Sequence, residues 1–243
     1  MKERLDILLV KKGIVASRER AKALVMEGNV LVDGTPVSKA GALVNSEASL
    51  VVKGEEIPYV SRGGLKLEAA LVHFGIHLEG TIAMDVGSST GGFTDCMLQQ
   101  GAKKVYCIDV GYGQLAWTLR NDPRVILIER TKIRFLGRER IPVAIDITTI
   151  DVSFISLKNV IPTVTEFVRP GGIILALVKP QFELGKGEVG KGGVVRDIGK
   201  REAAVESVRN FSREYGLKTL GTFLSTVAGQ KGNREYFLLM EKP

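Results

Sequence analysis

Ile82-Ala83-Met84-Asp85-Val86-Gly87-Ser88-Ser89-Thr90-Gly91-Gly92-Phe93 runs from an apolar stretch through a glycine-rich turn into a segment of helical character. An apolar run of this length, closed by glycine, reads as a buried strand. A strand that feeds a glycine loop and then a helix is the opening unit of a doubly wound sheet. Downstream, strand-like runs at 104–109, 125–129, 148–152, 173–178, 218–224 and 236–240 alternate with helical ones, among them 93–100, 115–121, 157–167 and 201–215. The alternation predicts an α/β fold: a Rossmann-like, mainly parallel sheet with helices on both faces.

Upstream the pattern changes. Leu5, Leu8, Leu9 and Lys12 lie at helical spacing with Gly13 placed to end the helix; Ser17 can cap a second helix running to Glu27, which Gly28 stops. Residues 30–32 and 35–37 flank Asp33-Gly34, a strong two-residue hairpin signal, and 50–52 offers a further strand before Gly54. Pro58 marks a linker, so the expected domains are a small α+β module over 1–58 and the larger α/β domain over 59–243. Lys11, Lys12, Arg18, Arg20 and Lys22 are set against one acid, Glu19, so one end of the helical hairpin reads as either a phosphate-facing patch or a solvated face.

Composition narrows the partners. A formal charge of +7 and a pI near 9.4 favour a polyanion, and 44% hydrophobic residues exclude global disorder. Apolar runs such as 171–178 fall well short of the roughly 20 residues that cross a bilayer, so a soluble, cytoplasmic protein with no membrane partner is expected. Cys96 and Cys107 have neither metal-ligand spacing nor a disulfide pattern, and no metal site is expected. Gly185-x-x-x-x-Gly190-Lys191 imitates a phosphate-binding P-loop, but Gly192 stands where magnesium needs Ser or Thr. Lys186 and Lys191 therefore read as a solvated loop or a lid over RNA phosphates.

The glycine loop is the expected cofactor site, through Asp85, Gly87, Ser88, Gly91, Gly92 and Phe93. Asp109, at the end of the second strand, can accept hydrogen bonds from both hydroxyls of an adenosine ribose. This suits a nicotinamide dinucleotide or S-adenosylmethionine, and a tight turn without a ligand is the bland alternative. G-x-x-x-G-G is not G-x-G-x-x-G, and an acid two residues before the first glycine favours S-adenosylmethionine. Lys179 and Asp151 end neighbouring strands at the same edge; Glu235 begins the last strand, and Lys66 sits on a helix before the first. Such residues serve either methyl transfer to a hydroxyl or plain surface ion pairs.

Two resemblances add to this. Ser17-Arg18-x-x-Ala21-Lys22-x-x-Val25-x-x-Gly28-x-Val30-x-Val32-Asp33-Gly34 resembles the ribosomal S4-type RNA-binding domain, which implies that Arg18, Arg20 and Lys22 face RNA. Val60-Ser61-Arg62-Gly63-Gly64-Leu65-Lys66-Leu67, Asp109-Val110-Gly111-Tyr112-Gly113-Gln114, Asp151-Val152-Ser153-Phe154-Ile155-Ser156-Leu157 and Val178-Lys179-Pro180-Gln181-Phe182-Glu183 resemble the TlyA family, whose older label is haemolysin. The resemblance implies an FtsJ-like, S-adenosylmethionine-dependent 2′-O-methyltransferase acting on cytidine in ribosomal RNA. It carries a catalytic tetrad onto Lys66, Asp151, Lys179 and Glu235. The chain departs from the family at the linker 57–60 and at Lys132, where asparagine is usual. A catalytically silent RNA-binding or ribosome-assembly factor is the runner-up; a pore-forming haemolysin finds no apolar segment to support it.

Overall fold

The computed structural model describes residues 2–15, 17–26, 28–53, 57–185 and 187–243; the expectations for Glu27, Gly54, Lys186 and the side chain of Lys191 lie outside what is described. The chain divides into two compact units, Met1–Ser61 and Arg62–Pro243.

The first unit contains β1 (Lys2–Arg4), α1 (Leu5–Lys11), α2 (Arg18–Met26), β2 (Val30–Val32), β3 (Thr35–Pro36), β4 (Leu43–Asn45) and β5 (Leu50–Val52). The apolar faces of α1 and α2 bury Leu5, Leu9, Ala21, Leu24 and Val25 against Val30. Ser17 Oγ accepts from the Arg20 amide at 3.2 Å, as a helix cap does. Asp33 and Gly34 both take positive φ (48° and 79°), which a two-residue turn between β2 and β3 requires. The β1–β4 pair has no counterpart in the sequence reading, because Lys2–Arg4 shows no apolar alternation. Asp6 is fully buried, and two hydrogen bonds from Arg4 hold its carboxyl down at about 2 against the cost of burial, with a third from Arg18.

The second unit opens with α3 (Gly63–Phe74), then β6 (Ile82–Val86), α4 (Gly92–Gln99), β7 (Lys104–Ile108), α5 (Trp117–Arg120), β8 (Val125–Ile128) and β9 (Ile145–Ile150). It continues through α6 (Ile161–Phe167), β10 (Val168–Val178), α7 (Pro180–Glu183), α8 (Ile198–Glu214), β11 (Lys218–Leu224) and β12 (Tyr236–Glu241). The strands form one seven-stranded sheet in the order β11-β12-β10-β9-β6-β7-β8. Strands β8, β7, β6, β9 and β10 run parallel, while β12 is antiparallel to β10 and β11. Successive side chains of β6 point to opposite faces: Met84 and Val86 join a core with Val164 and Phe167 of α6 and Val205 and Val208 of α8, whereas Asp85 meets Thr94 of α4. Both faces are thereby covered. The helix expected over 157–167 breaks into a 3-10 turn, Leu157–Asn159, and α6, because Pro162 has no N–H to carry the helix through.

Candidate active site

Four chain segments converge on the carboxyl edge of the parallel strands. After β6, Gly87 (φ 88°), Ser89 (φ 48°) and Gly91 (φ 99°) turn the chain through left-handed conformations into α4. A Cβ at Gly87 would strike the backbone carbonyl of Asp151, and one at Gly91 would strike Leu119 and Leu115. Glycine is thus demanded here by the chain's approach to itself, and a bulky residue at 87 would displace Asp151. The Asp109 carboxylate accepts from the Ser89 amide (2.7 Å) and the Gly111 amide (2.7 Å), tying the glycine loop to the loop after β7. Each oxygen keeps a further lone pair for a ribose hydroxyl. Ser88 Oγ is buried with no hydrogen-bond partner among the described residues. A buried unpaired hydroxyl beside a carboxylate with spare acceptors fits a nucleoside cofactor with polar substituents.

The expected cofactor residues differ in their surroundings. Asp85 is fully buried and accepts from Thr94 Oγ1 (2.6 Å) and Thr149 Oγ1 (3.3 Å), so its carboxyl braces the sheet against α4. Burial, with a smaller push from the Asp151 charge, raises it to about 7. Gly92 begins α4, and Phe93 is buried with its ring 6.0 Å from that of Phe237.

The four residues of the expected tetrad form two ion pairs. Lys179, which follows β10, places Nζ 2.6 Å from Asp151 Oδ1, just beyond β9, and donates to Ser153 Oγ at 3.0 Å. Lys66 of α3 donates to Glu235 Oε2 at 2.7 Å, immediately before β12. The Glu235 carboxylate lies so close to Gly229 that a Cβ there would have to push the carboxylate from its place. Lys179 and Glu235 are largely buried. Charges held so far from water are retained only with good partners, and each lysine has one.

Residues without an assigned role in the sequence reading complete the arrangement. The Glu183 carboxylate accepts from Ser156 Oγ (2.6 Å) and the Leu157 amide (2.8 Å), clamping the loop after β9 to the turn after β10; burial raises its pKa. Phe154 is exposed at φ 62°, with its ring 5.0 Å from that of Phe182. Asn233 accepts from the Val195 amide (3.0 Å) and donates to the Gly193 carbonyl (2.9 Å), fastening the glycine-rich segment to the approach to β12. Ser153, Phe154 and Glu183 stand within the quoted motifs; a polar or aromatic residue beside an expected catalytic one was the available signal. In the first unit, Arg18 donates to buried Asp6 (3.1 Å), Arg20 is half-buried with Nη1 lacking a partner among the described residues, and Lys22 is exposed. The three expected RNA contacts are therefore not equivalent. Among the described residues no group of His, Cys, Asp or Glu is arranged to hold a metal, and no helix is long and apolar enough to cross a membrane.

A parallel sheet closed by an antiparallel last strand, with a glycine loop and a carboxylate at neighbouring strand ends, is the arrangement of a Rossmann-like methyltransferase. A geranyl diphosphate methyltransferase solved with S-adenosylmethionine shares the fold at a TM-score of 0.52 and 13% identity, over 74% of this chain and 85% of that one. The chain belongs to the FtsJ-like methyltransferase family, whose model matches residues 59–242, and an S4 domain model matches residues 3–50. It is 45% identical over 236 residues to the 16S/23S rRNA (cytidine-2′-O)-methyltransferase TlyA of Mycobacterium tuberculosis, spanning 97% of this chain and 88% of that protein. Hemolysin A of Brachyspira hyodysenteriae is 41% identical, spanning 96% and 97%. A hemolysin-named structure from Streptococcus thermophilus superposes at a TM-score of 0.79 with 43% identity, covering 99% of this chain and 88% of that one.

Proposed function

We propose that the protein transfers a methyl group from S-adenosylmethionine to the ribose 2′-hydroxyl of cytidine in ribosomal RNA. It acts on ribosomal subunits in the cytoplasm, with residues 1–58 gripping RNA through Arg18, Arg20 and Lys22 and residues 59–243 carrying the chemistry. The observation that carries this reading is the pair of lysine–carboxylate contacts, Lys179 with Asp151 and Lys66 with Glu235, in the unit whose strand edge holds the glycine loop. The 45% identity to an rRNA cytidine methyltransferase supports the choice of acceptor.

S-adenosylmethionine, when bound, supplies an electrophilic methyl group. Asp109 and Ser88 are the residues to hold it, the first at the ribose and the second through its unpaired hydroxyl. A ribose hydroxyl is a weak nucleophile until its proton leaves, so the protein has to align the oxygen and manage that proton. Lys179 is the residue for this. Ser153 Oγ takes one N–H of Nζ and Asp151 lies beside it as a charge partner outside hydrogen-bond geometry, so Nζ keeps a position for the hydroxyl, as a spare N–H if the lysine is an ammonium and as a lone pair if it is neutral. The first form stabilises the developing alkoxide and the second removes the proton. Lys66 and Glu235 complete the polar wall.

The test is incubation of the protein with S-adenosylmethionine tritiated in the methyl group and isolated ribosomal subunits. Label is expected in rRNA, in alkali-resistant dinucleotides beginning with cytidine, because a 2′-O-methyl group blocks strand cleavage. No incorporation, or label on a base, overturns the proposal.

A further inference from the structure

Beyond β8 the chain reads Arg130-Thr131-Lys132-Ile133-Arg134-Phe135-Leu136-Gly137-Arg138-Glu139-Arg140, five cations against the single acid Glu139. More than half of the net charge of +7 is thus concentrated in one short segment. The segment is held in place rather than left to solvent. Ile133, Leu136 and Ile141 are buried, and the amides of Arg130 and Thr131 donate to the carbonyls of Gly111 (3.0 Å) and Asp109 (2.9 Å), splicing it to the Asp109 loop. With those apolar residues inward, Arg130, Lys132 and Arg134 are exposed. Glu129, the nearest acid in sequence, is ion-paired with Arg120 at 2.6 Å and feels Arg130 only as a lesser charge, which leaves Lys132 and Arg134 without that acid. Arg138 and Arg140 are partly spent, on the Glu166 carbonyl and on Thr131 Oγ1.

A solvated basic face has no need of exposed aromatic rings, yet two stand in this one. Tyr112 is 67% exposed with the Arg130 guanidinium 4.1 Å above its ring, and Phe135 is 71% exposed with the Arg134 guanidinium at 4.8 Å. Flat cation–aromatic pairs offer faces on which bases stack, while neighbouring charges neutralise phosphates. In the sheet, β8 lies three strands from β9, about 14 Å at the usual spacing, so the strip sits beside the tetrad rather than within it. That separation suits nucleotides flanking the one being modified.

We infer that Tyr112, Arg130, Lys132, Arg134 and Phe135 form a second RNA-binding surface, built into the catalytic unit, that takes unpaired RNA flanking the target nucleotide. The inference rests on the reading of the protein as an RNA methyltransferase, and its test separates the two. Binding of the full-length protein to protein-free rRNA and to intact subunits is measured by fluorescence anisotropy across a potassium chloride series without S-adenosylmethionine. Arg130→Gln/Arg134→Gln is expected to weaken binding and flatten the plot of log K against log salt by about two, one per lost phosphate contact. Tyr112→Ala/Phe135→Ala is expected to weaken binding about tenfold or more while leaving the slope unchanged, because stacking releases no counterions. Arg134→Lys, which keeps charge without the flat plane, should hold the wild-type slope at reduced affinity, and it keeps the test usable where a double variant fails to fold by circular dichroism. Wild-type affinity and slope in the variants overturn the surface; loss confined to intact subunits also overturns it, by assigning the contact to a ribosomal protein. A wild-type protein that methylates no RNA, yet loses salt-dependent RNA binding in these variants, overturns the reaction and leaves the surface standing.

Discussion

Replacing Lys179 by alanine separates the structural from the chemical part of the site. Its Nζ is 2.6 Å from Asp151 Oδ1 and 3.0 Å from Ser153 Oγ, and the two charged side chains are 11% and 23% exposed. Breaking a fully buried pair costs about 3–5 kcal/mol, but water reaches Asp151, which reduces the expected loss of stability to about 1–2 kcal/mol. The chemical loss is larger. Removing the group that handles the hydroxyl proton should lower single-turnover methylation by about 100-fold or more, equivalent to about 2.7 kcal/mol of transition-state stabilisation. Affinity for S-adenosylmethionine, measured by calorimetry, should stay nearly constant, since Asp109 and Ser88 follow other strands. Lys179→Arg then distinguishes two mechanisms: guanidinium keeps the charge but cannot accept a proton at ordinary pH. Substantial activity in the arginine variant assigns Lys179 to alkoxide stabilisation, and its loss assigns proton abstraction. Near-normal turnover in Lys179→Ala, with the fold intact, would refute the catalytic assignment.

Glu183→Ala removes the bonds from Ser156 and Leu157 and should lower kcat about tenfold, the equivalent of one hydrogen bond or a little more, without changing S-adenosylmethionine affinity. Glu183→Gln can satisfy both groups and should recover most activity; equal losses in both variants would show that charge, not hydrogen bonding, is needed. Asp85, raised to about 7 from 3.8, binds its proton more tightly in the folded state than in the unfolded, so its contribution to stability falls as pH rises from about 4 to 7. Denaturant titrations should find this decline, on the order of a few kcal/mol, flattened in Asp85→Asn, and an unchanged pH dependence would count against the assignment. The depressed carboxyl of Asp6 works in the opposite sense: its stabilisation is complete above about pH 4 and disappears as pH falls through about 2. Arg18→Ala should therefore lower the melting temperature by loosening Asp6 as well as weaken RNA binding, whereas Lys22→Ala should weaken RNA binding at unchanged stability; identical thermal midpoints for the two would contradict the structural part assigned to Arg18.

The strands show how far local pattern carries. The expected runs at 82–86 and 218–224 coincide with β6 and β11, because each is an apolar or β-branched stretch with turn residues at its ends. Over 148–152 the reading was three residues late: β9 starts at Ile145, and Asp146, a charged residue that argued against a strand, is accommodated by a bond from the Ile82 amide (2.8 Å) and by Arg169 (2.7 Å). The antiparallel setting of β12 between β10 and β11 was not legible either, since a strand's direction leaves no mark on its own residues.

What the sequence determined by itself is whatever depends on neighbours along the chain: the helix cap at Ser17, the Asp33-Gly34 turn, the strand–loop–helix around Gly87, and the residue types that resemble a methyltransferase tetrad. Tertiary structure alone decided how those types are used. Lys66 and Glu235 meet across 169 positions, and Asp109 reaches back 20 positions to hold the Ser89 amide. Asp85 turned inward because strands alternate faces, and on its face of β6 it meets Thr94 of α4. Arg18 was drawn to Asp6 because a buried carboxylate needs a cation near it. Contacts of this kind answer to burial and charge in three dimensions, which a one-dimensional pattern of residue types does not encode.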